Sequence, residues 1–277
     1  MKTIQELIEF GIINLDKPNN YTSFQAAEIL GKMLGLRKFS HFGTLDPKVT
    51  GVLPIALNRA CKLTGWFMKK NKTYIGVMKI HKPISEEKLR EEMNKFLGKI
   101  MQLPPVRSRV KREEREREVY SWEILEIDKE KNHVLFSCEV EAGTYIRKLI
   151  SDLGEKIGGS HMLELRRTRA GIFSEKDNNF INLYELDKIK DNPEELAKII
   201  IPADEAIRKI MPSIKVKKEN EKNILTGKPI FLEDLEGKEF FKLKDKEDFA
   251  VFSDKFLGIY KKTMDNEILA RSEWVKN

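Results

Sequence analysis

The sequence predicts an α+β protein with a large first domain and a small β-rich second one, and three observations carry this. Runs of strand-like residues are mixed with segregated helices instead of alternating as regular βαβ units. Apolar residues recur at periods of two and of 3.6 in turn, with turn clusters between them. Beyond Met211-Pro212 the chain changes to short strand-like pieces with glycines at 227, 237 and 258. A length of 277 residues suits a division into 1–210 and 211–277 at about 150 residues per domain.

The elements follow in order. Ile12 to Leu15 is a short apolar strand ended by the turn cluster Asp16-Lys17-Pro18-Asn19-Asn20. Ser23 is placed to cap a helix with Ala26, Ala27, Leu30, Met33 and Leu34 on its apolar face and Gly35 as its stop. Lys72 to Ile80 alternates as a strand, with Tyr74, Gly76, Met78 and Ile80 on one side. Ser85 caps a second helix, striped by Leu89, Met93, Phe96 and Leu97 and ended by Gly98. Two strands, 119–127 and 133–140, flank the polar turn Asp128 to Asn132. After Gly143, Ile146, Leu149, Ile150, Leu153 and Ile157 recur at helical spacing as far as Gly158-Gly159.

Composition narrows the function. Hydrophobic residues make up 40% of the chain, enough for a core, and charged residues reach 34% against a usual ~25%. The net charge of +7 is a mild preference for polyanions, in which clustering counts for more than the sum. Residues 211–277 hold 14 Lys/Arg against 13 Asp/Glu, so an RNA contact there would work through shape and not bulk charge. The longest clearly apolar run, Val52 to Leu57, is far short of the ~20 residues of a membrane span. Glu6 and Glu9 interrupt the N-terminus where a secretory signal needs apolar residues. Cys61 and Cys138 form neither a CxxC pair nor a disulfide framework. The expectation is a soluble, cytoplasmic protein that meets no membrane.

Three segments carry candidate chemistry. In His41-Phe42-Gly43-Thr44-Leu45-Asp46-Pro47-Lys48-Val49-Thr50-Gly51, glycines at both ends and an internal proline predict an ordered loop. Pro47 pushes Asp46 toward extended backbone. Such a loop either holds a carboxylate in a fixed direction, as a nucleophile or base requires, or is a plain Asp-Pro turn. Arg147 falls in the first turn of an apolar helix, where the helix dipole disfavours a cation. It therefore wants an anionic partner or is simply solvated. Arg107, Arg109, Lys111, Arg112, Arg115 and Arg117 form a basic stretch with Glu113, Glu114, Glu116 and Glu118 interleaved, so 112–118 reads as a self-paired, solvated face. Arg166, Arg167 and Arg169, three arginines in four residues, read as lacking a compensating acid and suit phosphate contacts.

The four histidines are far apart with no ligand spacing. No GxGxxG and no GxxxxGK[ST] occurs. The chemistry is expected to run without metal or cofactor.

Five stretches, GIINLDKPNNYTS (11–23), HFGTLDPKVTGVLPIAL (41–57), KTYIGVM (72–78), EAGTYIRKL (141–149) and HMLELRRTRAG (161–171), resemble in order the motifs of the TruB/dyskerin pseudouridine synthases. The short stretch between Tyr74 and Tyr145, and LPPVRSRVKR (103–112), are similar to the archaeal dyskerin branch. The resemblance implies a mixed, mainly antiparallel sheet flanked by helices, followed by a small PUA-like β-barrel. It implies isomerisation of uridine to pseudouridine, in ribosomal RNA directed by an H/ACA guide RNA with small H/ACA ribonucleoprotein subunits, or at the TΨC-loop uridine of tRNA. Asp46 would be the carboxylate that attacks ribose or base, or first acts as a base, and Arg147 its partner. Tyr74 would stack on the flipped base and is a candidate to take the C5 proton. Tyr145 and Leu165 would line the uracil pocket, His41 would help open the RNA, and Lys17 and Pro18 would support the loop. Arg166, Arg167 and Arg169 would then hold flanking phosphates. The alternative is an RNA-binding scaffold of a guide-RNA particle that has lost turnover.

Overall fold

The computed structural model describes residues 2–104, 111–265 and 267–277. Arg107 and Arg109 of the basic stretch lie outside them. The chain divides into two compact units, Met1–Ile201 and Pro202–Asn277.

In the first unit, α1 (Ile4–Glu9) starts on a Thr3–Glu6 capping box and leads into β1 (Gly11–Lys17). α2 (Ser23–Met33) follows. Its cap is Thr22 and not the expected Ser23: Thr22 accepts from the Gln25 N–H while Gln25 reaches back to the Thr22 N–H. Ser23 is thereby free for another task, described below. Then come β2 (Phe39–His41), β3 (Thr50–Leu57), α3 (Thr64–Met68), β4 (Lys72–Ile80) and α4 (Glu86–Asn94). Gly98 does not merely end the α4 segment. It opens the edge strand β5 (Gly98–Gln102), which pairs with β6 (Arg115–Asp128) from Gly98↔Val119 to Gln102↔Arg115. That pairing draws 115–118 into the ladder, so β6 begins four residues before the expected start at 119. β7 (His133–Val140), α5 (Ile146–Ile157), β8 (Ser160–Ala170), β9 (Phe173–Ser174), β10 (Phe180–Asn182), α6 (Leu183–Ile189), α7 (Pro193–Ile199) and β11 (Ile200–Pro202) complete the series.

The sheet order is β10-β1-β3-β8-β4-β7-β6-β5, with β2 beside β3 and β9 beside β8. Most pairs are antiparallel, but β1–β10 and β3–β8 run parallel. Residues 12–15 of β1 and the whole of β3 after Thr50 are buried, as befits strands in the middle of a sheet. α5 packs its fully buried Leu149, Ile150 and Leu153 into the same core as Met78, Phe136 and Cys138. Two registers matter for function. Gly51 of β3 lies opposite Arg167 of β8, and Tyr74 of β4 opposite the same Arg167 on the other side.

The second unit holds α8 (Ala203–Arg208), β12 (Ser213–Lys215), α9 (Glu221–Leu225), β13 (Asp248–Phe252), β14 (Phe256–Lys262) and β15 (Ala270–Val275). It starts before the expected 211 because α8 belongs with it: the Arg208 guanidinium sits 3.3 Å over the Phe252 ring. The sheet order is β12-β13-β14-β15. Among the described residues this sheet is open, so the expected barrel is not closed. Its core comprises Ile214, Val216, Ile224, Ile230, Phe249, Val251, Leu257 and Tyr260. Gly227 and Gly237 take positive φ in turns, as expected. Gly258 is instead inside β14, where an added Cβ would come within 2.5 Å of the Trp274 carbonyl oxygen on β15. Among the described residues no helix is long and apolar enough to cross a membrane.

Candidate active site

The loop between β2 and β3 is fastened at almost every residue around Asp46. Phe42 is buried and stacks on Phe67 at 4.6 Å, with Phe173 at 5.9 Å. Gly43 takes φ +103°, a conformation that other residues reach only with strain. Leu45 is buried, and the Ser23 hydroxyl serves it twice, accepting from its N–H at 2.7 Å and donating to its carbonyl at 3.1 Å. The Val49 N–H closes a turn onto the Asp46 carbonyl at 3.0 Å.

Beneath this loop lie three buried cations. Lys17 is fully buried and donates to the carbonyls of Pro18, Tyr21 and Pro47 at 2.8, 2.6 and 3.0 Å. Arg167, 1% exposed, donates from Nε to the Val52 carbonyl at 2.7 Å and from Nη2 to the Gly43 carbonyl at 3.0 Å. Its guanidinium also hydrogen-bonds the Tyr74 hydroxyl. Lys72 donates to the carbonyls of Met68 (2.6 Å) and Lys70. Burial, with Arg167 second, pushes Lys72 down to about 7 and Lys17 down to about 8. Each cation is thus held by backbone dipoles instead of a carboxylate.

These lysines give a pH prediction. A folded-state pKa of about 7 against an unfolded 10.5 for Lys72 means that between these values the unfolded chain binds more protons. Stability from this group therefore rises as pH climbs from about 7 to 10.5 and is flat below 7. Urea unfolding at pH 7 and pH 10 should show a smaller rise for Lys72→Met than for the natural chain, and an equal rise would refute the assignment.

Asp46 itself points to solvent, where Arg147 donates to its Oδ2. The two side chains keep 50% and 57% of their surface exposed, so a ligand can reach both. Arg147 sits in the first turn of α5, just after the cap residue Tyr145. Tyr145 is fixed by Gln102, which accepts from its N–H at 3.0 Å and donates to its carbonyl at 3.3 Å. The pair closes across 101 residues of sequence.

Tyr74 and Gly76 share one face of β4, and their partners Arg167 and Leu165 share that face of β8. Tyr74 and Leu165 are each 8% exposed. Burial raises the Tyr74 phenol above its ordinary range, against the pull of Arg167. His41 hydrogen-bonds Thr44 at 3.2 Å, and burial followed by the Arg167 charge lowers its pKa, which keeps the imidazole neutral near pH 7.

The expectation of three uncompensated arginines at 166–169 is corrected. Arg166 forks onto Asp16 with two 3.0 Å bonds and reaches Glu175 at 2.7 Å. Arg169 pairs with Glu139 at 2.7 Å and donates to the Thr73 hydroxyl. Arg167 is interior and offers no surface to a phosphate, while Arg166 and Arg169 are partly exposed but already paired. Asp16 on β1 and Glu139 on β7 reach over from strands two places away in the sheet, and Glu175 comes from the turn just after β9. The support given by Lys72 and Ser23 was not foreseen, since a lysine or serine beside a strand or helix end ordinarily reads as exposed or capping. Among the described residues no group of three or more His, Cys, Asp or Glu is arranged to hold a metal ion.

Residues 31–83 match the model of the TruB family pseudouridylate synthase N-terminal domain, and 147–208 that of the tRNA pseudouridylate synthase B C-terminal domain. A probable tRNA pseudouridine synthase B of Pyrococcus abyssi is 43% identical over 222 residues, covering 78% of this chain and 66% of the relative. One of Thermococcus onnurineus is 49% identical over 180 residues, covering 65% and 53%. The alignments thus span between about half and two thirds of these relatives' length. Among solved structures, a Cbf5–Nop10–Gar1 complex matches with TM-score 0.88 at 36% identity, over 99% of this chain and 87% of its counterpart. An H/ACA RNP bound to a substrate RNA containing 2′-deoxyuridine matches with TM-score 0.86 at 34% identity, over 99% and 87%.

Proposed function

The chain belongs to the TruB family of pseudouridylate synthases, and from that premise we propose that it isomerises uridine to pseudouridine in RNA. The observation that carries this reading is the half-exposed Asp46–Arg147 pair, whose carboxylate is close enough to the buried Tyr74 phenol to act on it electrostatically. A scaffold needs RNA-binding surface, not a carboxylate held on a loop fixed at Phe42, Gly43, Leu45, Pro47 and Val49 and left open to solvent.

The chemistry is an internal transfer. The N1–C1′ bond breaks, a C5–C1′ bond forms, the C5 proton leaves and N1 gains one, so no oxidant or cofactor is required. A uridine within folded RNA must first be turned out of the stack, at a cost of a few kcal/mol. Asp46 is the reacting group, and Arg147 orients its carboxylate while the base is absent and neutralises it as the base arrives. Tyr74 and Leu165 give the uracil its apolar walls, with Tyr145 beside Arg147 at the rim. The buried, protonated phenol of Tyr74 fits a stacking role; to take the C5 proton it would first have to lose its own against that burial.

The substrates in this reading are ribosomal RNA selected by an H/ACA guide RNA, with small ribonucleoprotein subunits as partners, and the TΨC-loop uridine of tRNA, in the cytoplasm. The second unit serves as a PUA-like RNA-binding module. The test is to incubate the purified chain with a tRNA transcript, and separately with guide RNA, partner subunits and target RNA, then to map pseudouridine. Product in either arm is expected. RNA binding with no product in both would overturn the reading in favour of the scaffold.

A further inference from the structure

The interleaved stretch 112–118 is self-paired only at Arg115–Glu113 among the described residues. A strand's pleat sends successive side chains to opposite sides, so in β6 Arg115 and Arg117 share the side of the buried Val119 while Glu116 and Glu118 face away. Glu116 is taken by Lys99 of β5 at 2.9 Å. Arg117 donates only to the carbonyl of Glu116, at 2.8 Å, and has no acid partner among the described residues. Arg115 donates from Nη2 to Glu113 Oε1 at a long 3.4 Å, and its buried Nε has no partner.

Both arginines line a cavity of about 70 Å³ together with Gln102, Pro104, Gly143 and Tyr145. Gly143, at φ +89°, keeps it open: an added Cβ would lie 3.2 Å from both Nε and Nη2 of Arg117. The opposite wall is rigid because Gln102 and Tyr145 are doubly bonded. The space is too small for a nucleobase, is bordered by two guanidinium groups, and ends at Tyr145, two residues before Arg147.

We infer that this cavity is a phosphate subsite, in which Arg115 and Arg117 hold a phosphodiester of the RNA next to the nucleotide presented to Asp46. The inference rests on the function proposed above, but it concerns binding and can fail separately. Two guanidinium forks on one side of a strand match the oxygens of a single phosphate. Pre-placing that phosphate lowers the cost of presenting the everted base.

The test measures affinity of the full chain for tRNA transcript against salt, with Arg115→Gln, Arg117→Gln, Arg117→Lys and, as a control on the remote face of α4, Arg90→Gln. Arg117→Gln should weaken binding roughly tenfold and reduce the salt slope by about one, with an unaltered melting temperature. Arg117→Lys should keep the slope and lose part of the affinity. Arg90→Gln should change neither. Titration with inorganic phosphate, followed by ¹⁵N NMR of the arginine Nε–H groups, should shift Arg115 and Arg117. Unchanged affinity and slope in Arg117→Gln would overturn the subsite. Shifts with phosphate but no effect on RNA would overturn the phosphodiester as its ligand. These outcomes are read from binding, so an inactive natural chain would refute the isomerase and leave the subsite to be judged on its own.

Discussion

Asp46→Asn should abolish pseudouridine formation while leaving the fold and the RNA affinity in place. Asparagine keeps the volume and can still accept a hydrogen bond from Arg147, but its amide can neither attack nor accept a proton at neutral pH. Removing a single reacting group from such a site typically costs at least ~10⁴ in rate. Stability should barely change, because an exposed ion pair contributes no more than about 1 kcal/mol and both partners here are half exposed. The loop should also hold its shape, since it is fixed through Phe42, Leu45 and the backbone carbonyls of Gly43, Pro47 and Val52, not through the Asp46 side chain. Single-turnover pseudouridine mapping alongside a melting curve checks both halves. Product from Asp46→Asn at the natural rate would remove Asp46 from the reaction.

The Asp46 loop was legible because its punctuation is local: glycines at both ends and Pro47 inside define an ordered segment within eleven residues. The partner was not legible from spacing. Arg147 declared only that it wanted an anion, and the resemblance to a family, not periodicity, nominated one 101 residues away. Where the sequence misled, the cause was geometry that exists only in the fold. Arg166 and Arg169 looked unpaired because Asp16 and Glu139 reach them across the sheet and the chain folds back after Ala170 to bring Glu175 to Arg166. Arg115 to Glu118 looked paired because alternation in sequence becomes separation on a pleat. Ser23 looked like a cap because Leu45, its true partner, approaches only in the fold. Helices with strong stripes, such as α5, were readable because their period is set within the segment. The edge strand β5 was not, since only its pairing with β6 defines it.

Arg167→Met should separate the two roles assigned to this arginine, loop support and phosphate contact. Methionine fills most of the space but donates nothing, so the carbonyls of Gly43 and Val52 and the Tyr74 hydroxyl lose a partner together. An unsatisfied buried polar group costs about 1–3 kcal/mol, and relief from burying a cation returns part of that. A net loss of roughly 3–5 kcal/mol follows, or a melting temperature lower by roughly 6–20 °C for a unit of this size. Below that temperature the variant is folded, yet its loop has lost the tie between Gly43 and β8. A misplacement of about 1 Å at a reacting group costs on the order of 10² in rate, so kcat should fall by that order with KM and the salt dependence of RNA binding little changed. A phosphate-binding arginine would give the reverse pattern, with KM raised, the salt slope reduced by about one and the melting temperature preserved. Arg167→Lys sharpens the contrast. A lysine keeps the charge but, with a single nitrogen, cannot span Val52, Gly43 and Tyr74 at once. It should therefore recover little of kcat if the fork positions the loop, and most of the affinity if charge alone is what the RNA requires.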